Sequence, residues 1–320
     1  DEALHSYTRA VEIDPLYSWA WNGRGLTLAA LNKHEEALAC FRKATELDTD
    51  DLWYWYNQGD ELVTMGRFRE ATESLEHALK INPNHAESWA KLGQALRRLD
   101  RNGDALVAYD QALALNANYG WAWNGRGLAL ESLEKHEEAL ASYERAVQLE
   151  PNVLWYYANA VELLREMERY NEALTLIDRA VARLPDNPGG WARRGQILRR
   201  LYRYPEAVET YKRALDLDPT YAWAWNGLGL AQNALKMHDE ARKSFEQATR
   251  YNGDDAWFWH NLGDARRSCG DSKGATKAYR RALEVDPTHD ASRRKLHEID
   301  ADVGEVSKST EDKRKTDDED

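Results

Sequence analysis

The chain has 320 residues and a net charge of −12, which excludes a generic nucleic-acid surface, since that needs a basic face to displace counterions. No apolar run approaches the roughly 20 residues of a membrane span, and no signal peptide opens the chain. The two cysteines, Cys40 and Cys269, fit neither disulfide nor metal spacing. Two idle thiols point to a reducing compartment, so the protein is expected in the cytoplasm.

Ala, Leu, Glu, Arg and Lys dominate, and no Val/Ile/Thr-rich alternating run appears, so the chain reads as all-α. Residues 1–17 read as the second helix of a partial unit, because Ala3, Tyr7, Ala10 and Pro15 match positions 20, 24, 27 and 32 of the units that follow. Opening on Asp1 without methionine, the chain is expected to be a fragment or processed form, with room upstream for further repeats or a catalytic domain. From Ser18 eight units of the 34-residue helix–turn–helix period follow, at 18–51, 52–85, 86–119, 120–153, 154–187, 188–221, 222–255 and 256–289. Laid over these is a longer period. Tyr17-Ser-Trp-Ala-Trp-Asn-Gly-Arg-Gly25 returns at Tyr119–Gly127 and at Tyr221–Gly229, 102 residues apart each time. Residues 290–301 read as a capping helix whose Leu296 and Ile299 cover the last unit. Residues 302–320 are polar and aperiodic, and are expected to form a disordered tail.

Within the unit, position 4 carries Trp21, Trp55, Trp89, Trp123, Tyr157, Trp191, Trp225 and Trp259. Position 8 is glycine except at Val161, and positions 20 and 27 are always alanine. Small residues at 8 and 20 let two antiparallel helices approach, so that the position-4 ring fills the gap beside them. Proline at position 32 (Pro83, Pro151, Pro185, Pro219, Pro287) ends the second helix. Thr49, Ala117 and Gly253 replace it and are expected to loosen those turns. Val161 is expected to hold the fifth pair slightly apart, and Ser272 and Gly274 to weaken the start of the last second helix. This W…L-G…Y…A…F…A…P pattern, over residues 1–289, resembles the tetratricopeptide-repeat (TPR) family. The resemblance implies an α-α superhelix, a right-handed solenoid of antiparallel helix pairs with no catalytic machinery. It also implies that the side of the first helix opposite positions 4, 7, 8 and 11 lines a concave, ligand-binding groove.

At about 100° per residue that side holds positions 2, 5, 6, 9 and 13. Seven of the thirteen tryptophans take position 4 and read as core; the other six, Trp19, Trp53, Trp121, Trp155, Trp223 and Trp257, take position 2. Each either packs over the neighbouring first helix or forms a rung of an aromatic ladder for a ligand. The same face repeats every third unit. Asn22, Asn124 and Asn226 follow at position 5; Asn57, Asn159 and Asn261 take position 6 of the next units, with Asp60, Glu162 and Asp264 at position 9. The third and sixth units are basic there: Lys91, Arg97 and Arg98, then Arg193, Arg199 and Arg200. Triplication of a three-unit block explains the period as well as ligand binding does. An asparagine amide nevertheless offers both donor and acceptor to an extended peptide, and Asn57, Asn159 and Asn261 resemble the groove asparagines of the TPR arm of O-GlcNAc transferase. The clamp by which other TPR domains hold a C-terminal carboxylate fits worse, matching at two of five positions.

No metal spacing, phosphate loop, dinucleotide fingerprint or nucleophile–base pair occurs, so neither cofactor nor enzyme activity is expected. His34, His136 and His238 begin second helices and read as packing groups. The reading is therefore a protein–protein interaction scaffold that binds a partner's peptide segment through Trp19, Asn22, Trp53, Asn57, Lys91, Arg98, Trp121, Asn124, Trp155, Asn159, Arg193, Arg200, Trp223, Asn226, Trp257 and Asn261. The alternative is the substrate-presenting arm of a larger enzyme or regulator. Self-association through the open N-terminal edge is a third reading. The partner's identity is not legible.

Overall fold

The computed structural model describes residues 2–299. After α1 (Glu2–Ile13), each pair has a first helix of 13 residues and a second of 14. They run α2 (Ser18–Ala30) and α3 (His34–Leu47), α4 (Leu52–Thr64) and α5 (Phe68–Ile81), α6 (Ala86–Arg98) and α7 (Asn102–Leu115), α8 (Gly120–Ser132) and α9 (His136–Leu149). The series continues with α10 (Leu154–Glu166) and α11 (Tyr170–Arg183), then α12 (Pro188–Arg200) and α13 (Tyr204–Leu217). It closes with α14 (Ala222–Ala234) and α15 (His238–Tyr251), α16 (Ala256–Ser268) and α17 (Ser272–Val285), and α18 over 290–299. No strand occurs among the described residues. The chain forms two compact units, up to Leu163 and from Leu164, so the division falls inside α10.

Every first helix ends the same way. The residue at position 15 lies in the left-handed region, which suits Gly66 and Gly270 (φ 75° and 81°). Asn32, Asp100, Glu134, Glu168, Tyr202 and Lys236 hold it too, at φ between 57° and 62°. A side chain there costs about 1–2 kcal/mol. Tyr202 is 78% exposed and offsets little of this, its one ring contact being Tyr204. Tyr202→Gly is therefore expected to stabilise the second unit by about 1 kcal/mol, read as a higher urea midpoint.

The packing corrects one expectation. The ring between the paired helices comes from position 24 of the second helix, where Phe41, Tyr109, Tyr143, Tyr211, Phe245 and Tyr279 are fully buried. The position-8 glycines make room for it: a Cβ on Gly127 would lie 2.4 Å from the Tyr143 ring, and one on Gly263 2.4 Å from Tyr279. The position-4 tryptophans are only half-buried. Each donates its indole N–H to the carbonyl of position 32 in the preceding turn, at 2.7–2.9 Å, from Trp21 to Pro15 through to Trp259 to Gly253. Because the acceptor is a backbone carbonyl, Thr49, Ala117 and Gly253 accept this bond as proline does. At the last second helix Asp271 accepts the Gly274 N–H at 2.8 Å. That cap offsets the weak helix formers beside it. Val161, in place of the fifth glycine, is itself buried. Leu296 and Ile299 of α18 pack on Ala275 and Tyr279. The end of this helix expected at 301, and the tail expected over 302–320, lie outside the described residues.

Candidate functional site

The position-2 tryptophans divide by exposure. Trp19 and Trp53 are each 54% exposed, Trp155 45% and Trp257 57%, whereas Trp121 and Trp223 are half-buried. Their neighbours at position 34 went unassigned in the sequence. Tyr17, Tyr119 and Tyr221 stand two residues before Trp19, Trp121 and Trp223, with ring centres at 5.9, 5.9 and 6.3 Å. Asp51 and Asp255 take that place before Trp53 and Trp257 and instead accept their backbone N–H groups, at 2.7 and 2.8 Å. Those two tryptophans lean on histidines from the far ends of their own repeats, Trp53 on His85 at 5.0 Å and Trp257 on His289 at 4.4 Å. The tyrosines were legible as part of the recurring Tyr-x-Trp motif; the histidines carried no local signal.

The asparagines are committed to each other. Asn57 donates to the Asn22 side-chain oxygen at 2.9 Å, Asn159 to Asn124 at 2.8 Å and Asn261 to Asn226 at 2.8 Å. Asn22 and Asn124 are buried, and Asn226 is half-buried. Each pair joins consecutive first helices, so the position-5 members form inter-repeat bonds. The glycine beside each one has a matching task. A Cβ on Gly23, Gly125 or Gly227 would lie 2.4–2.5 Å from Tyr7, Tyr109 or Tyr211 of the preceding repeat.

Of the basic groups assigned to this face, Lys91 is paired with a carboxylate and Arg98, Arg193 and Arg200 are not, among the described residues. Lys91 lies 2.6 Å from Asp60 and 5.2 Å from the Trp121 ring centre, so its charge is already neutralised by its neighbours. Arg98 is exposed and lies 5.1 Å from the centre of the Phe68 ring. Burial raises the pKa of the Tyr109 and Tyr211 hydroxyls, and the Arg97 and Arg199 guanidinium groups act against that rise. Half-buried Arg193 and exposed Arg200 have no carboxylate within ion-pair distance among the described residues.

The histidines perform structural tasks. Burial holds His85 and His260 below the ordinary imidazole pKa, against the pull of Glu87 and Asp264. Nδ1 of His85 accepts the Ser88 N–H at 3.2 Å and so caps α6, while His260 pairs with Ser292 of α18 at 3.0 Å. His34 joins α3 to α4 through Glu61 at 2.7 Å. No group of His, Cys, Asp and Glu among the described residues could hold a metal ion, and no helix among them is long and apolar enough to cross a membrane.

Sequence profiles described as tetratricopeptide repeat match residues 18–51 and 120–153, 56–119, and 224–255 and 258–289. Another, described as TPR repeat, matches 195–236. The chain belongs to the tetratricopeptide-repeat family. As a TPR array it is a protein-interaction scaffold of the α-α superhelix class, a fold that is typically non-catalytic. No curated protein matches its sequence. Among solved structures, the APC/C hetero-tetramer Cut9-Hcn1 shares the fold at 18% identity over 93% of the TPR chain, with a TM-score of 0.56. The chain spans 59% of that structure's length. Two structures of MamA are 22% identical over 50% and 52% of the chain and 94% and 91% of their own, each with a TM-score of 0.47.

Proposed function

We propose that the first-helix face carrying the position-2 tryptophans binds a peptide segment of a partner protein. The observation behind this is the exposure of Trp19, Trp53, Trp155 and Trp257 at 45–57%. Each ring offers ~150–250 Å² of apolar contact, and large rings left in water on an ordered helix face mark interaction sites. The rings would supply the affinity. Arg98, Arg193 and Arg200 would supply charge selection, since Lys91 is already paired with Asp60. The asparagine pairs join the helices that carry this surface.

The test combines Trp19→Ala with Trp53→Ala in the full chain. Partners recovered by the intact array are identified by mass spectrometry, and the bound segment is titrated against both proteins. Binding is expected to weaken at least roughly tenfold, with a melting temperature within about two degrees of the parent. Unchanged affinity with a melting temperature lower by many degrees would make the rings part of the stack.

A further inference from the structure

Over the last four residues of the recurring motif the third copy departs from the other two at one: Asn22-Gly-Arg-Gly25 and Asn124-Gly-Arg-Gly127 become Asn226-Gly-Leu-Gly229. In the first two copies the arginine covers the position-4 indole. The Arg24 guanidinium lies 5.6 Å from the centre of the Trp21 ring, and that of Arg126 lies 5.8 Å from Trp123. Asp110 and Ser142 hold Arg126 in place, at 2.7 and 2.8 Å. In the eighth repeat Arg281 reaches over from the second helix and covers Trp259 at 6.0 Å.

At the seventh repeat the whole set is exchanged. Leu228 stands where Arg126 stands, and Lys212 where Asp110 does. Ser244, the counterpart of Ser142, donates instead to Gln232 at 2.6 Å. No cation lies over the Trp225 ring among the described residues, and a cleft of about 610 Å³ opens on it between α13 and α15. Its floor is Leu215, Trp225 and Leu228. On the rim, Lys212 is held by Glu209 at 2.9 Å, and Lys243 is a second cation. Asp216 and Glu240 have no cation within ion-pair distance among the described residues.

We propose that this cleft takes an arginine side chain of a partner protein, supplying in trans the guanidinium that the first, fourth and eighth repeats provide for themselves. The volume suits a ligand pocket. A planar guanidinium stacks on an exposed indole, its aliphatic stem covers Leu215 and Leu228, and Asp216 and Glu240 complement its charge. A lysine ammonium is compact and strongly hydrated and gains less from the ring. The site lies off the position-2 face and does not depend on that face binding a peptide.

The experiment titrates N-acetyl-arginine amide into the full chain carrying ¹⁵N-labelled indoles, with the Trp225 resonance assigned through Trp225→Phe. That resonance is expected to shift and saturate on the order of millimolar, with the lysine amide roughly fivefold weaker or worse and the norleucine amide weaker still. Leu228→Arg combined with Lys212→Asp introduces the Arg126–Asp110 pair of the fourth repeat and is expected to abolish the shift, with an unchanged circular-dichroism spectrum and melting temperature verifying the fold. A Trp225 resonance that does not move, an equal response to the lysine or norleucine amide, or an unaltered response in the double variant would each overturn the assignment.

Discussion

Tyr109→Ala is expected to lower the stability of the first compact unit by about 3–5 kcal/mol. The ring is 1% exposed and fills the space left by two glycines. A Cβ on Gly93 of its own repeat would lie 3.0 Å from it, and one on Gly125 of the next repeat 2.4 Å. The walls of the resulting cavity are therefore largely helix backbone, which cannot move in to close it. Burial pushes the hydroxyl pKa up to about 12, against the pull of the Arg97 guanidinium. Tyr109→Phe keeps the ring and removes only the hydroxyl, for about 1 kcal/mol. Urea unfolding followed by circular dichroism separates the two; equal midpoints would show that the ring is not what holds the repeats together.

Asn124→Ala is expected to cost about 2–3 kcal/mol, although its sequence pattern equally suited a ligand contact. Asn124 is 1% exposed and its side-chain oxygen accepts from Asn159 at 2.8 Å. Removing it leaves the Asn159 amide without that acceptor, a larger loss than the net value of one hydrogen bond. Because the loss belongs to the pair, Asn124→Ala together with Asn159→Ala should cost less than the two single changes added. A thermal melt of the four proteins in this cycle checks it. Unchanged stability in Asn124→Ala, with weaker binding of the captured segment, would return the asparagines to the ligand.

The candidate site was legible as a face but not as a set of contacts. Helical periodicity separated position 2 from position 4, and Trp19, Trp53, Trp155 and Trp257 are indeed the open rings. The same periodicity placed Asn22 beside Trp19 but carried no information on the helix 35 residues further on, where Asn57 meets it. Lys91 read as a free cation for the same reason, its partner Asp60 lying on the preceding first helix. The loss of an arginine at Leu228 was visible in the motif, yet its consequence was not, because the residues that reorganise with it, Lys212, Gln232 and Ser244, belong to three different helices.

Sequence alone determined the repeat, its helices and the family, since period, alanine positions and glycine positions are local properties that recur along one chain. Tertiary structure decided which ring plugs each pair, what the position-4 indoles bond, and that the recurring asparagines join helices. Those outcomes depend on side chains brought within a few ångströms from neighbouring repeats. A period can say that such residues recur together, but only the packed backbone sets which of them touch.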